Sequence, residues 1–206
     1  MQKAAFLDRD GVINADHGYV SQPENFEWLS GVFEACRELA RLGYAIVVVT
    51  NQSGIARGYY GEDDFLRLTA WMKARFAEEG VSIAGVYYCP HHPEKGIGAY
   101  KQACDCRKPE PGMLLRAARE LSLDLAKSVM FGDKPGDMTA ARRAGVPVRI
   151  QVGTDARALP DPAPDATHTA LSLLEGVGIL SDFQPAVSYR LSLIHISEPT
   201  RQAEIS

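Results

Sequence analysis

The sequence has no long hydrophobic run. Its longest strongly apolar stretch, Tyr44 to Val49, is six residues, and a membrane-spanning helix needs about 20; no membrane partner is expected. Met1 to Val12 hold no apolar segment of signal-peptide length and reach a carboxylate at Asp8, so the expected location is the cytoplasm. Positive charge is also in short supply: 22 Lys and Arg face 26 Asp and Glu, a net charge of −4. That balance argues against a general nucleic-acid binder, whose affinity comes from neutralising phosphates. It leaves room for a small phosphorylated ligand, because a metal ion and a few local cations outweigh the global balance. Gly (18) and Pro (12) are near ordinary usage, which excludes a collagen-like or low-complexity chain. The 206 residues show no internal repeat and no domain-scale linker, which fits one soluble domain. Cysteine is scarce as well, but Cys89, Cys104 and Cys106 crowd into 18 residues. In a cytosolic chain such a cluster is a metal site more often than a disulfide framework.

What is present is an alternation of strands and helices. Short apolar runs at 3–7, 44–50, 83–88, 128–132 and 146–152 read as strands, and the second lacks alternation, as in a parallel sheet covered on both faces. Helical spacing marks 32–42, 62–79, 111–122 and 136–144, with a last short helix expected over 170–176. This order predicts an α/β fold, a doubly wound parallel sheet whose ligands bind beyond the carboxyl ends of the strands. Asp8/Asp10, Thr50 to Ser53 and Gly132-Asp133-Lys134 each follow an apolar strand, so three polar clusters converge on one rim. Cys36 falls on the apolar face of its helix and reads as core. Trp28 and Trp71 read as packing, the acidic run Glu62 to Asp64 as helix N-terminal charge.

Asp8-x-Asp10-Gly11 places two carboxylates close together, which is costly unless a cation neutralises them or one holds a proton. An all-oxygen set completed by Asp133 suits Mg²⁺, so Asp8, Asp10 and Asp133 are the expected Mg²⁺ residues, with Asp137 one turn further on. Cys89, His91, Cys104 and Cys106 supply four N/S ligands for a closed, structural Zn²⁺ site that stabilises a loop. His92 competes with His91 on spacing alone.

Asp8 and Asp10, Thr50, Lys108 and Asp133, in this order, resemble the haloacid dehalogenase superfamily of phosphatases. The resemblance implies a Rossmann-like sheet and an aspartyl-phosphate mechanism. It makes Asp8 the nucleophile and Asp10 the general acid and base, with Thr50 and Lys108 on the transferring phosphoryl group. The segments DRDGVIN (8–14), DHGYV (16–20), VTNQSGIARG (49–58), YYCPHHP (87–93), CDCRKPEPGM (104–113) and GDKPGDM (132–138) narrow it. Together they are similar to the D,D-heptose 1,7-bisphosphate 7-phosphatases, over roughly residues 4–180.

That similarity implies a compact enzyme without a large cap domain, and the short chain with no evident pairing element is expected to be a monomer. By the same similarity the enzyme would release the C7 phosphate of a small phosphorylated sugar, in making nucleotide-activated heptose for surface glycans. It favours His91 as the zinc ligand and puts Asp16, His17, Gly18, Tyr19, Thr50, Asn51, Gln52, Ser53, Arg107 and Lys108 around the substrate. Arg107 is expected to face the distal phosphate, a good match for a planar guanidinium. Asp16 and His17 also read as a surface turn, and Gln52 to Gly54 as a helix N-cap. Histidinol phosphate is the alternative substrate. The domain is expected to span 1–184, with an extension over 185–190. From Leu191 onward, LSLIHISEPTRQAEIS resembles the translated reading frame of a sequencing adapter, so 191–206 are expected to be non-native and His195 without a role.

Overall fold

The computed structural model describes residues 1–154 and 157–182; the expectations for 183–206 lie outside the described residues. Six strands form one parallel sheet: β1 (Ala4–Leu7), β2 (Ala45–Asn51), β3 (Ile83–Cys89), β4 (Val129–Gly132), β5 (Val148–Val152) and β6 (His168–Ala170). Their order is β3-β2-β1-β4-β5-β6, so the chain winds outward from β1 in one direction, then returns through β4 to build the other half. That reversal between β1 and β4 is where an open α/β sheet opens a crevice at its carboxyl edge.

The central strands β1, β2 and β4 are buried on both faces, and successive residues serve opposite layers, as a period of two requires. Ala5 and Leu7 of β1, Ile46 and Val48 of β2 and Phe131 of β4 join one core; Ala4, Phe6, Val47, Val49 and Met130 join the other. The first core is closed by α1 (Val32–Arg41), α3 (Glu62–Glu78) and α6 (Leu173–Asp182), through residues such as Cys36, Leu39, Met72, Phe76 and Val177. Cys36 is fully buried there, and Trp28 stacks among Phe26, Phe33, Trp71 and Phe76. The second core is closed by α4 (Gly112–Leu121) and α5 (Pro135–Ala144). One short helix, α2 (Ser53–Ala56), follows β2. Among the described residues no insertion forms a cap domain, and no helix is long and apolar enough to cross a membrane.

One element departs from expectation. The helix anticipated over 170–176 is a strand, β6, ending at Ala170, then a helix that starts at Leu173 and continues through Gly176 to Asp182. The helix runs on through Gly176, which serves packing: a Cβ there would lie 3.0 Å from the Phe131 ring. The missing side chain lets α6 approach the sheet.

Candidate active site

The carboxyl ends of β1, β2 and β4 surround a cleft of about 480 Å³. Asp8 is the residue after β1 and is buried. Its Oδ1 accepts from the Arg9 backbone N–H (2.8 Å) and faces Lys108 Nζ at 3.0 Å. Gly11 completes the turn beyond it with φ of +86°, and a Cβ there would fall 2.3 Å from Asp133 Oδ2. Glycine is required on both counts.

Lys108 enters from the loop after the cysteine cluster. Its ammonium reaches Asp8, Asp137 Oδ1 (2.7 Å) and the Val49 carbonyl (2.9 Å). Asn51 holds this loop in both directions: its Oδ1 accepts from the Lys108 N–H (3.0 Å) and its Nδ2 donates to the Lys108 carbonyl (3.1 Å). Burial alone would depress the lysine, but Asp137 and Asp8 more than offset that and hold it above the ordinary lysine range. Burial also pushes Asp8 up to about 8, with Asp137 adding to the rise and Lys108 opposing it. Asp133 is raised to about 6, by burial first and Asp137 next.

A hard divalent ion fits this place. Asp8, Asp133 and Asp137 each offer an oxygen within 4.8 Å of the others, and Asp133 Oδ1 is buried with no hydrogen-bond partner. The grouping includes Asp137 where the sequence suggested Asp10. Both Asp137 oxygens are in use, by Lys108 Nζ and the Lys134 N–H. The Asp10 carboxylate turns to other donors: Arg9 Nη2 (2.9 Å), Asn14 Nδ2 (2.9 Å) and Gln52 Nε2 (3.2 Å).

The cleft is also lined by Asp16, Gly18, Tyr19, Asn51, Gln52, Ser53, Arg107 and Lys108, all anticipated as substrate contacts. Thr50 is fully buried and accepts from Gln52 Nε2 at 2.8 Å. Thr50 is not among the lining residues, and neither is His17. His17 is exposed and pairs with Glu27 at 2.7 Å, in keeping with the surface-turn alternative.

The thiols of Cys89, Cys104 and Cys106 lie 3.0–3.5 Å apart, with His91 Nδ1 3.5 Å from Cys106 and 3.8 Å from Cys89. These distances exceed the ~2.05 Å of a disulfide and lie a little inside the edge of a zinc tetrahedron, roughly 3.8 Å for bonds of about 2.3 Å. The hydrogen bond from Cys89, with help from Cys104 and His91, lowers Cys106 to about 5, so a thiolate is ready for a soft metal. His92 Nδ1 instead accepts from the Glu94 and Lys95 N–H groups, which removes it as a competing ligand through that nitrogen.

A HAD-hydrolase-like family model matches residues 105–175. A Vibrio cholerae protein named D-glycero-β-D-manno-heptose-1,7-bisphosphate 7-phosphatase is 59% identical over 151 residues, 73% of this chain and 81% of the relative. An Escherichia coli K12 protein of the same name is 54% identical over 73% of this chain and 79% of its own. The chain belongs to the heptose-bisphosphate phosphatase family. A solved D,D-heptose 1,7-bisphosphate phosphatase from B. bronchiseptica, complexed with magnesium and phosphate, superposes with a TM-score of 0.74 at 32% identity, covering 87% of this chain and 98% of its own. As a member of this family the protein is a phosphoric monoester hydrolase.

Several residues of this phosphatase site make contacts that the sequence does not show. Arg9 is almost fully buried, between the Phe26 and Phe65 rings, and donates to Asp10 and to the Val20 carbonyl; only its place inside the DxDG segment hinted at a role. Lys134 Nζ bonds Asp16 Oδ2 at 3.1 Å across the cleft, a pairing of residues far apart in sequence. Tyr60 lines the cleft and donates to Gln52. Glu62, read as helix-terminal charge, accepts from the Tyr88 and Tyr100 hydroxyls (2.6 and 2.7 Å), tying α3 to the zinc loop.

Proposed function

We propose that the protein is a Mg²⁺-dependent phosphatase that removes the C7 phosphate of D-glycero-D-manno-heptose 1,7-bisphosphate through an aspartyl-phosphate. The observation that carries this reading is the clamp of Lys108 on Asp8 and Asp137 at the floor of a cleft whose rim carries Arg107 and Lys134. A buried carboxylate oxygen at the floor and cations at the rim suit one phosphate undergoing transfer and a second held at a distance. The names of the relatives point to the heptose bisphosphate, and to its β anomer.

In this reading Asp8 attacks phosphorus while the bond from phosphorus to the C7 oxygen breaks. Asp10 gives its proton to the departing alkoxide, then takes one from the water that releases inorganic phosphate. Its Arg9, Asn14 and Gln52 contacts keep the carboxylate at the mouth of the turn. Lys108 would neutralise charge on the phosphoryl oxygens and the Thr50 hydroxyl would donate to them. Asp16, His17, Gly18, Tyr19, Asn51, Gln52, Ser53 and Arg107 are the proposed sugar and distal-phosphate contacts, His17 from the outer edge. Asp8 and Asp133 would hold Mg²⁺, with Asp10 beside them; the Asp10 carboxylate would have to leave its donors to join them. The ion would offset the repulsion between Asp8 and an incoming phosphate. Cys89, His91, Cys104 and Cys106 would hold a structural Zn²⁺. The proposed setting is a cytoplasmic monomer serving nucleotide-activated heptose synthesis.

A parallel assay of both heptose bisphosphate anomers and histidinol phosphate tests the proposal. The β bisphosphate should give the highest kcat/KM and release one phosphate per sugar, and Asp8→Asn should lose at least about a thousandfold. Faster turnover of histidinol phosphate would overturn the substrate assignment, and an active Asp8→Asn would overturn the covalent route.

A further inference from the structure

The proposed proton donor is gripped from two sides. Its own loop supplies Arg9 Nη2 and Asn14 Nδ2. Among the described residues, the one hydrogen bond to it from across the cleft comes from Gln52 Nε2, at 3.2 Å from Asp10 Oδ2. Gln52 is buried, and its amide has a single workable orientation. Its nitrogen faces Asp10 and donates to Oδ2, an oxygen that accepts whether or not the other carboxyl oxygen carries the proton. The same nitrogen spends its second proton on Thr50 Oγ1 at 2.8 Å. That leaves Oε1 to be satisfied by a donor, and the Tyr60 hydroxyl supplies it at 2.5 Å.

We propose that Tyr60 is a positioning residue for proton transfer, acting through Gln52 to hold the Asp10 carboxylate against the leaving oxygen. The inference rests on the reading of Asp10 as the general acid. Two further facts support it. Burial pushes the Tyr60 hydroxyl up to about 12, so it remains a donor across the working range of an enzyme. The residue at 54 is also glycine where a side chain would strike this ring: a Cβ there would lie 2.2 Å from Tyr60 Cε1 and 2.8 Å from its hydroxyl oxygen. Gly54 has ordinary helical backbone, so its lack of a side chain serves the neighbouring tyrosine. Without the Tyr60 hydroxyl, Oε1 would lose its partner in a buried site, and a flipped amide would turn an oxygen toward the Asp10 carboxylate.

Leaving-group dependence tests this directly. A sugar alkoxide needs a proton as it departs, whereas p-nitrophenolate leaves without one, and kcat/KM covers the steps through that departure. In Tyr60→Phe the ratio of kcat/KM for the heptose bisphosphate over p-nitrophenyl phosphate should fall about tenfold, a part of the 10²–10⁴ typical of a general acid. The inhibition constant of the sugar monophosphate product should rise by less than the ratio falls, because Gln52 is itself a proposed sugar contact and only the excess reports proton transfer. Gly54→Ala, which displaces the ring, should shift the ratio in the same direction, and Asp10→Asn should shift it further. An unchanged ratio in Tyr60→Phe beside a shifted one in Asp10→Asn would overturn the inference. So would a product inhibition constant that rises in step with the ratio, or a crystal structure of Tyr60→Phe with Gln52 unmoved. If Asp10→Asn slows both substrates equally, the failure lies in the reading of Asp10, and the inference falls with it.

Discussion

Asp8 and Asp133 sit in a field that no single neighbour neutralises. Burial, then Asp137, raises both, Asp8 to about 8 and Asp133 to about 6, from an ordinary 3.8. Because their folded values lie above the unfolded one, each contributes stability that is fully present below about pH 3.8. That contribution is lost as pH rises, through about 6 for Asp133 and about 8 for Asp8. The metal-free protein should therefore lose Tm between pH 5 and pH 8 from these two groups. A divalent cation competes with their protons and restores the lost contribution where they are ionised. Scanning calorimetry with Mg²⁺ or with a chelator should show a larger Mg²⁺-induced rise in Tm at pH 8 than at pH 5. An equal rise at both values would mean that the ion does not occupy this cluster. Asp8→Asn should flatten the metal-free dependence between pH 6 and 8, where Asp8 alone still titrates.

At the scale of elements, the stretch from the end of β3 to the start of α4 joins two sites. Cys89 closes β3, Tyr100 anchors the loop to Glu62 on α3, and Cys106 is followed at once by Arg107 and Lys108. A metal that fixes Cys104 and Cys106 thereby fixes the backbone from which Lys108 reaches Asp8. Removing zinc should cost activity as well as stability, although zinc would leave no open position for catalysis. The thiols offer a clean readout. Cys36 lies in the core, where burial pushes its thiol up to about 12, so it stays protonated and inaccessible. An aromatic disulfide reagent with a chelator should label the half-buried Cys104 and Cys106 in the folded protein, and the buried Cys89 and Cys36 only after denaturation. Labelling of all four in the folded state would contradict the packing of α1, and labelling without chelator would contradict a tightly held metal.

For the molecule as a whole, local sequence showed the frame and the first carboxylates, because β1, β2 and β4 are unbroken apolar runs that deliver polar residues at their ends. The Cys/His cluster was legible for a similar reason, since thiols and an imidazole at short spacing have few other uses. Long-range pairs were not legible. The Lys134–Asp16 bridge and the Glu62–Tyr100 contact each join segments that only the winding of the sheet brings together, and the Tyr60–Gln52 hydrogen bond closes over the single turn of α2, too short to show a periodicity. β6 was missed because three residues with a polar start carry too little pattern to separate from the helix that follows. Every residue of both sites lies between Asp8 and Asp137, and the cores close with α6 at Leu180. The segment 191–206 resembles adapter-derived sequence and supplies none of these groups. A chain ending at Arg190 should therefore match the full chain in Tm to within about 1 °C and in kcat/KM to within about twofold, as expected for a change that removes none of the residues named in core and site. A large loss in either, measured on the two purified proteins side by side, would give the last sixteen residues a role that neither the site nor the sheet requires.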